Sequence, residues 1–103
     1  MEIPADLSLV QVKKYLDKRV AELDSVFRSL ENQDCAALRE ILHRWKGNAE
    51  LYGFGELGIL SGKVVRILDT SPVQWTKVSD EVGSIAEKIH SEARELVVLM
   101  RSQ

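Results

Sequence analysis

Cysteine is almost absent from this chain of 103 residues, which contains Cys35 and no other. A single cysteine cannot form an internal disulfide, and the lack of paired cysteines excludes the common cysteine-based zinc sites. No signal peptide or long apolar run opens the sequence. We therefore expect a reducing, cytoplasmic setting, in which Cys35 lies in the first turn of a helix as an inert thiol.

A strong net charge is also lacking, because 14 Lys and Arg residues nearly balance 16 Asp and Glu residues, for a formal net charge of -2. This balance indicates no general attraction to nucleic acid or to an anionic membrane. There is no Walker-type phosphate loop and no dinucleotide fingerprint, so we expect neither ATP use nor a bound metal. A length of 103 residues, of which 45% are hydrophobic, suits one domain spanning residues 1–103 and leaves no room for a catalytic kinase domain.

The apolar residues recur every three or four positions in four segments, which is typical of amphipathic helices. This spacing predicts four helices, over about 6–31, 35–52, 55–68 and 72 almost to the C-terminus. No segment alternates with period two, and the connections are only two to four residues long. The sequence therefore predicts an all-α fold, an antiparallel up-down-up-down four-helix bundle.

Residues with strong positional preferences mark the ends of these helices. Asp34 is a good N-cap for the second helix, and Gly53 stands where a left-handed glycine would end it. Ser71, Pro72 and Gln74 have the spacing of an N-cap serine, a first-turn proline and a capping-box glutamine. We therefore expect the fourth helix to begin at this segment.

The second helix places His43 on its exposed face. At about 100° per residue, its apolar side chains share an arc roughly 100° wide, formed by Leu38, Ile41, Leu42, Trp45, Ala49 and Tyr52. His43 points away from this arc, together with Arg39, Lys46, Gly47 and Glu50.

Gly47 is unusual on such a face, because a glycine inside a helix costs roughly 1 kcal/mol relative to alanine. It leaves space beside the imidazole of His43, which stands four residues earlier. One interpretation is a histidine that another macromolecule reaches and that carries an anion. The alternative is a solvated face with an incidental glycine.

A short motif on this helix consists of His43, Lys46, Gly47, Asn48, Ala49 and, ten residues after the histidine, Gly53. This motif resembles the signature of histidine-containing phosphotransfer (HPt) domains, and the order of helices agrees with that family over nearly all 103 residues. Two positions depart from the family pattern. Glu50 stands where the family usually has a small residue, and Trp45 stands where it usually has an aliphatic one.

The resemblance implies a phosphorelay intermediate of two-component signal transduction. His43 would accept a phosphoryl group from the aspartate of one receiver domain and pass it to another. Lys46, aided by Arg39, would screen its charge, Gly47 would leave room for the receiver, and Arg44 would contact the partner's rim. The chain would be a phosphohistidine carrier with no cofactor of its own, because Mg²⁺ belongs to the receiver. Asn48 would fix helix packing.

The expected partners are response-regulator receiver domains and a hybrid sensor kinase, and we expect a monomer. The starting Met1 favours a free-standing protein. A docking surface is expected at the exposed residues Ala36, Gly47 and Leu51, between charged residues of the same helix. His90, on the fourth helix, is expected at the surface and not as a ligand.

Glu50 leaves two alternatives open. Its carboxylate can oppose the incoming phosphoryl group, or it can hydrogen-bond one ring nitrogen of His43 and orient the other. If Glu50 has spoiled the site, the chain is a non-phosphorylated four-helix adaptor, a degenerate member of the same family.

Overall fold

A computed structural model describes residues 3–102, which form an all-helical fold with four α-helices, as the sequence predicts. Met1 lies outside the described residues. The elements in chain order are α1 (Leu9–Glu31), α2 (Cys35–Asn48), a 3₁₀ turn (Ala49–Tyr52), α3 (Gly55–Leu68) and α4 (Trp75–Arg101).

The four helices enclose one hydrophobic core. Each helix packs against the next along the chain, and α4 packs against α1. Every helix contributes wholly buried apolar side chains, among them Val12, Leu16, Leu38, Leu42, Trp45, Leu57, Val64, Val78, Ile85 and Ile89. The fold is elongated, with extents of 49 × 20 × 17 Å. No helix within residues 3–102 has both the length and the apolar composition that a membrane crossing needs.

The predicted ends of α2 are partly confirmed. The Asp34 side chain accepts a hydrogen bond from the Ala37 amide, as an N-cap does, and Gly53 is left-handed with φ 91°. However, the α-helix ends at Asn48 and not near Tyr52. The amides of Gly53 and Phe54 donate to carbonyls of the preceding turn, and this tightening makes Ala49–Tyr52 a 3₁₀ turn.

The predicted start of α4 is wrong. The helix begins at Trp75, with Gln74 as an N-cap residue whose side chain makes no capping bond. Val73 packs against the core as part of the connection from α3, so residues 71–74 serve as a link and Ser71 caps nothing. At the other end of the chain, α1 begins at Leu9 and not at Asp6, because Ser8 forms a capping box with Gln11.

The buried face of α1 is broader than its apolar stripe predicts. Val26 is wholly buried, whereas Phe27, a member of the predicted stripe, is 43% exposed. Arg19 also lies on the buried face, where its guanidinium covers the Tyr15 ring at 4.4 Å from the centroid and lies 2.7 Å from a Glu22 carboxylate oxygen. These contacts make a buried arginine tolerable at the junction of α1 and α2.

Candidate functional site around His43

The core fixes the orientation of α2, and this orientation exposes His43. Leu38, Leu42 and Trp45 are all 0% exposed, which anchors one face of the helix in the core, where α2 packs against α1 and α3. His43 lies on the opposite, exposed face, as the periodicity predicts. Its ring makes no side-chain hydrogen bond with any residue from 3 to 102, and the residue is exposed.

Gly47, one turn after His43, faces open space. A Cβ atom placed on Gly47 would meet nothing within 4 Å. No packing contact within residues 3–102 therefore requires a glycine there. The open space is compatible with the expected clearance for a partner, which stays a prediction, and the cost of glycine in helix propensity brings no packing gain among these residues.

Lys46 extends from α2 across α3. A Cβ atom on Gly62 would lie 3.3 Å from Lys46 Cδ and 3.4 Å from Cγ, so this glycine leaves a notch that holds the lysine stem. One turn earlier, a Cβ atom on Gly58 would lie 3.5 Å from the Lys46 carbonyl oxygen, which is an ordinary van der Waals contact. Lys46 as a whole is exposed, and its ammonium group extends beyond a stem that lies over Gly62.

Arg39 is not a free cation. Its Nε and Nη2 donate to the two carboxylate oxygens of Asp69, at 2.7 and 3.3 Å. The Arg39 hydrogen bonds hold the pKa of Asp69 below its ordinary value, opposed by partial burial, and the nearby charges of His43 and Lys46 lower it further. Asp69 caps the end of α3, and sequence reasoning did not include it in the site because nothing in the motif points to it.

Arg44 faces α1 and not the His43 surface alone. Its Nη2 lies 3.5 Å from a Glu22 oxygen, and the Arg44 side chain is more than half exposed. Because Glu22 also pairs with Arg19, the Arg44 guanidinium belongs to a charged network that joins α1 to α2. This position is compatible with the rim role that the resemblance implies.

Glu50 lies in the 3₁₀ turn, so it does not continue the α-helical register of His43. It is exposed and borders a groove between α2 and α3 together with Lys46, Ile59 and Arg66. Across residues 3–102, no hydrogen bond or ion pair within 4 Å involves its carboxylate, so no bond joins Glu50 to the His43 ring. The carboxylate is therefore available to oppose a second anion near Lys46.

Asn48 has the packing role that the sequence predicts. Its Oδ1 accepts a hydrogen bond from the Tyr15 hydroxyl, which ties the end of α2 to α1. The Tyr15 ring stacks on Tyr52, with centroids 4.2 Å apart and planes at 9°. Burial raises the pKa of Tyr15 above its ordinary value. The amide of the motif thus holds the His43-bearing helix in place.

Two exposed apolar side chains lie near the exposed surface around His43. Leu51, which was predicted as part of the docking surface, is 67% exposed, and Ile59 of α3, which was not predicted, is 71% exposed. Ala36 is exposed as well. The sequence does not predict this exposure of Ile59, because the apolar face predicted for α3 consists of Leu57, Leu60, Val64 and Ile67, and an isoleucine outside that face has no spacing that marks it.

The remaining candidate groups lie away from His43. The Cys35 thiol donates to the Leu68 carbonyl at 3.5 Å and is half-buried between α2 and α3. His90 is exposed on α4, as expected for a surface residue. No group of three or more His, Cys, Asp or Glu side chains within residues 3–102 is arranged to hold a metal ion. No protein-family model, curated protein or solved structure matches this chain.

Proposed function

We propose that this chain is a phosphorelay intermediate of the histidine-containing phosphotransfer type. The observation that carries the proposal is an exposed His43 with open space at Gly47 and an exposed cation at Lys46, one turn or less away on the same helix. A carrier must present its nucleophile to the recessed aspartate of a second protein, and this arrangement permits such an approach. The proposed partners are receiver domains and a hybrid sensor kinase, and the proposed setting is the cytoplasm, with the chain acting as a monomer.

We also propose that the four helices run up-down-up-down, each antiparallel to its neighbours. The contacts between opposite ends of neighbouring helices support this arrangement. Arg39, early in α2, pairs with Asp69 at the end of α3. The start of α1 and the end of α4 share a groove that includes Leu9 and Met100. Short connections between the helices also favour antiparallel neighbours.

The chemistry that this site would perform is a direct exchange at phosphorus. The lone pair of the unprotonated ring nitrogen of His43 forms the N–P bond, and the P–O bond to the receiver aspartate breaks. The aspartate oxygen keeps that electron pair as a carboxylate, and the other ring nitrogen of His43 keeps its proton. Lys46 stabilises the phosphoryl charge, while Mg²⁺ in the receiver would supply further stabilisation. The reverse exchange loads the next receiver.

Phosphorylated receiver domains provide the direct test. The chain is incubated with each of them, and acid-labile, base-stable phosphate is measured on wild type, His43→Gln and His90→Gln. We expect label on wild type and His90→Gln and none on His43→Gln. Both histidines are exposed, so neither change should alter the helical content or the melting temperature appreciably. Label that persists in a folded His43→Gln variant would refute the assignment.

A second candidate function is an adaptor without phosphotransfer. The observation that favours it is the distribution of anions, because Asp69 occupies Arg39 and the Glu50 carboxylate lies in the groove beside Lys46. An adaptor would bind receiver domains and remain unlabelled in the same experiment. Binding of unphosphorylated receivers is measured in parallel by isothermal titration calorimetry. Binding without label would indicate an adaptor, whereas neither binding nor label would mean that the chain does not interact with receivers.

A further inference from the structure

On the exposed surface around His43, the carboxylate of Asp69 is already paired with the guanidinium of Arg39. Arg39 precedes His43 by one helical turn, so its guanidinium shares the histidine's face of α2. Both carboxylate oxygens of Asp69 accept from this guanidinium. Such two-pronged geometry is the one that arginine also uses to bind a phosphoryl group.

The other carboxylates on this surface form no such ion pair among residues 3–102. The ionisable side chains on or beside the His43 face are Arg39, Glu40, Lys46, Glu50 and Asp69. Glu40 and Glu50 are exposed, and neither makes an ion pair within 4 Å among residues 3–102. Of these three carboxylates, Asp69 is therefore the one that holds a cation of the surface in a fixed position.

We propose that Asp69 is a positioning residue that limits the stability of phosphorylated His43 by competing with the phosphoryl group for Arg39. This inference rests on the proposed function. In the free chain, Arg39 is bound to Asp69. When the phosphoryl group arrives, it can take the paired Nε–Nη2 edge of Arg39 only by displacing Asp69, whose carboxylate then repels the new charge.

This competition suits a carrier. A phosphohistidine that gained the full stabilisation of Arg39 would hold its phosphoryl group and transfer it onward poorly. Because Asp69 reclaims Arg39 once the group leaves, the unloaded state is favoured and transfer to the next receiver is easier. Asp69 would thus set the balance between loading and release, while Lys46, which has no such carboxylate partner among residues 3–102, stabilises the phosphoryl group in both directions.

The test compares Asp69→Asn with Glu40→Gln, a matched loss of one negative charge on the same surface. The readout is the equilibrium ratio of phosphorylated chain to phosphorylated receiver. We expect Asp69→Asn to raise this ratio about two- to fivefold, the range of a solvent-exposed charge interaction, and Glu40→Gln to raise it by less than half as much. Equal effects of the two variants would overturn the inference, because simple charge removal would then explain both.

A second measurement isolates the path through Arg39. In an Arg39→Gln background, the additional change Asp69→Asn should raise the ratio no more than Glu40→Gln does, since only the removal of a negative charge remains once the residue for which Asp69 competes is gone. An undiminished effect would overturn the inference. Melting temperatures of all variants show whether the fold is retained.

A third measurement does not depend on receivers. Phosphoramidate phosphorylates exposed imidazoles, with loss of ammonia as the P–N bond of the reagent is replaced by the N–P bond to the ring. Hydrolysis of the resulting phosphohistidines is then followed separately at His43 and at His90, which serves as an internal control. Asp69→Asn should slow hydrolysis at His43 about two- to fivefold and leave His90 unchanged; an unchanged rate at His43 would overturn the inference. Failure of wild type to accept phosphate from any receiver would instead count against the proposed function.

Discussion

Among the described residues, the glycines at 47, 55 and 83 face open space, and only Gly47 lies on the helix that carries His43. Gly55 is the first residue of α3, so the useful comparison is between Gly47 and Gly83. A Cβ atom at Gly47 in α2 or at Gly83 in α4 would meet nothing within 4 Å. Both positions therefore accept alanine without a clash, and both should gain stability from it. Comparing variants at Gly47 with variants at Gly83 therefore separates the effect of a glycine on stability from its effect on phosphotransfer.

The expected gain follows from helix propensity. Alanine is favoured over glycine by about 0.8 to 1 kcal/mol in a helix interior. Gly83 lies well inside α4, so Gly83→Ala should gain about 1 kcal/mol, or roughly 4–8 °C in melting temperature for a domain of this size. Gly47 is the last residue but one of α2, so we expect about half of that gain.

A large side chain should slow phosphotransfer at position 47 but not at position 83. Gly47→Gln and Gly83→Gln are compared with the two alanine variants by urea denaturation and by single-turnover transfer from a phosphorylated receiver. We expect Gly47→Gln to slow transfer at least tenfold, because its side chain fills the space through which the receiver approaches; this loss corresponds to about 1.4 kcal/mol of barrier. Gly83→Gln should transfer at the wild-type rate.

Two results would refute this reasoning. If Gly47→Gln transfers as fast as Gly83→Gln, clearance at Gly47 is not needed for docking and the solvated-face interpretation of that glycine is correct. If Gly47→Ala destabilises the chain, the space around Gly47 is not open in solution. Circular dichroism on all four variants shows whether a slow variant is still folded.

Two further predictions concern residues around the motif. Glu50→Gln should raise the transfer rate about two- to fivefold at neutral pH, because one negative charge beside Lys46 is removed; a large loss of rate, followed across pH, would mean that Glu50 orients His43. Burial raises the pKa of Tyr15 in the fold above the unfolded value of 10.0. The stability that the neutral Tyr15 hydroxyl gives the fold is therefore full below pH 10.0 and is lost as pH rises through the folded pKa. Tyr15→Phe should be less stable than wild type at neutral pH by about 1 kcal/mol, because the Asn48 bond is lost, and this deficit should shrink above about pH 10 in urea denaturation curves. A deficit that stays constant to about pH 11 would contradict this role of burial.

The features that the sequence predicts well depend on neighbours within about one helical turn. Asp34 caps α2 and Gly53 is left-handed because these preferences belong to the local backbone. The bounds of α3, Gly55–Leu68, agree with the prediction for the same reason. The exposure of His43 follows from the buried arc of its own helix.

The errors arise where packing between helices overrides local preference. Ser71 begins a sequence that is well suited to a capping box, yet the chain uses it to connect α3 to α4 because Val73 packs on the core there. In α1, Val26 is buried in preference to Phe27, and Arg19 is buried beside Tyr15. Periodicity identifies an apolar face, but the neighbouring helices decide which residues at its edges are covered.

The electrostatics of the site depend on such packing more than on the motif. Asp69 is 30 residues from Arg39 in the sequence, and the two meet because α3 packs against α2. Glu50 stands out in the sequence because it departs from the family pattern, but it holds no cation among residues 3–102. A cation that the sequence presents as free can already be bound by another helix. The charge available to a phosphoryl group at this site therefore depends on the Arg39–Asp69 pair, which no pattern within α2 reveals.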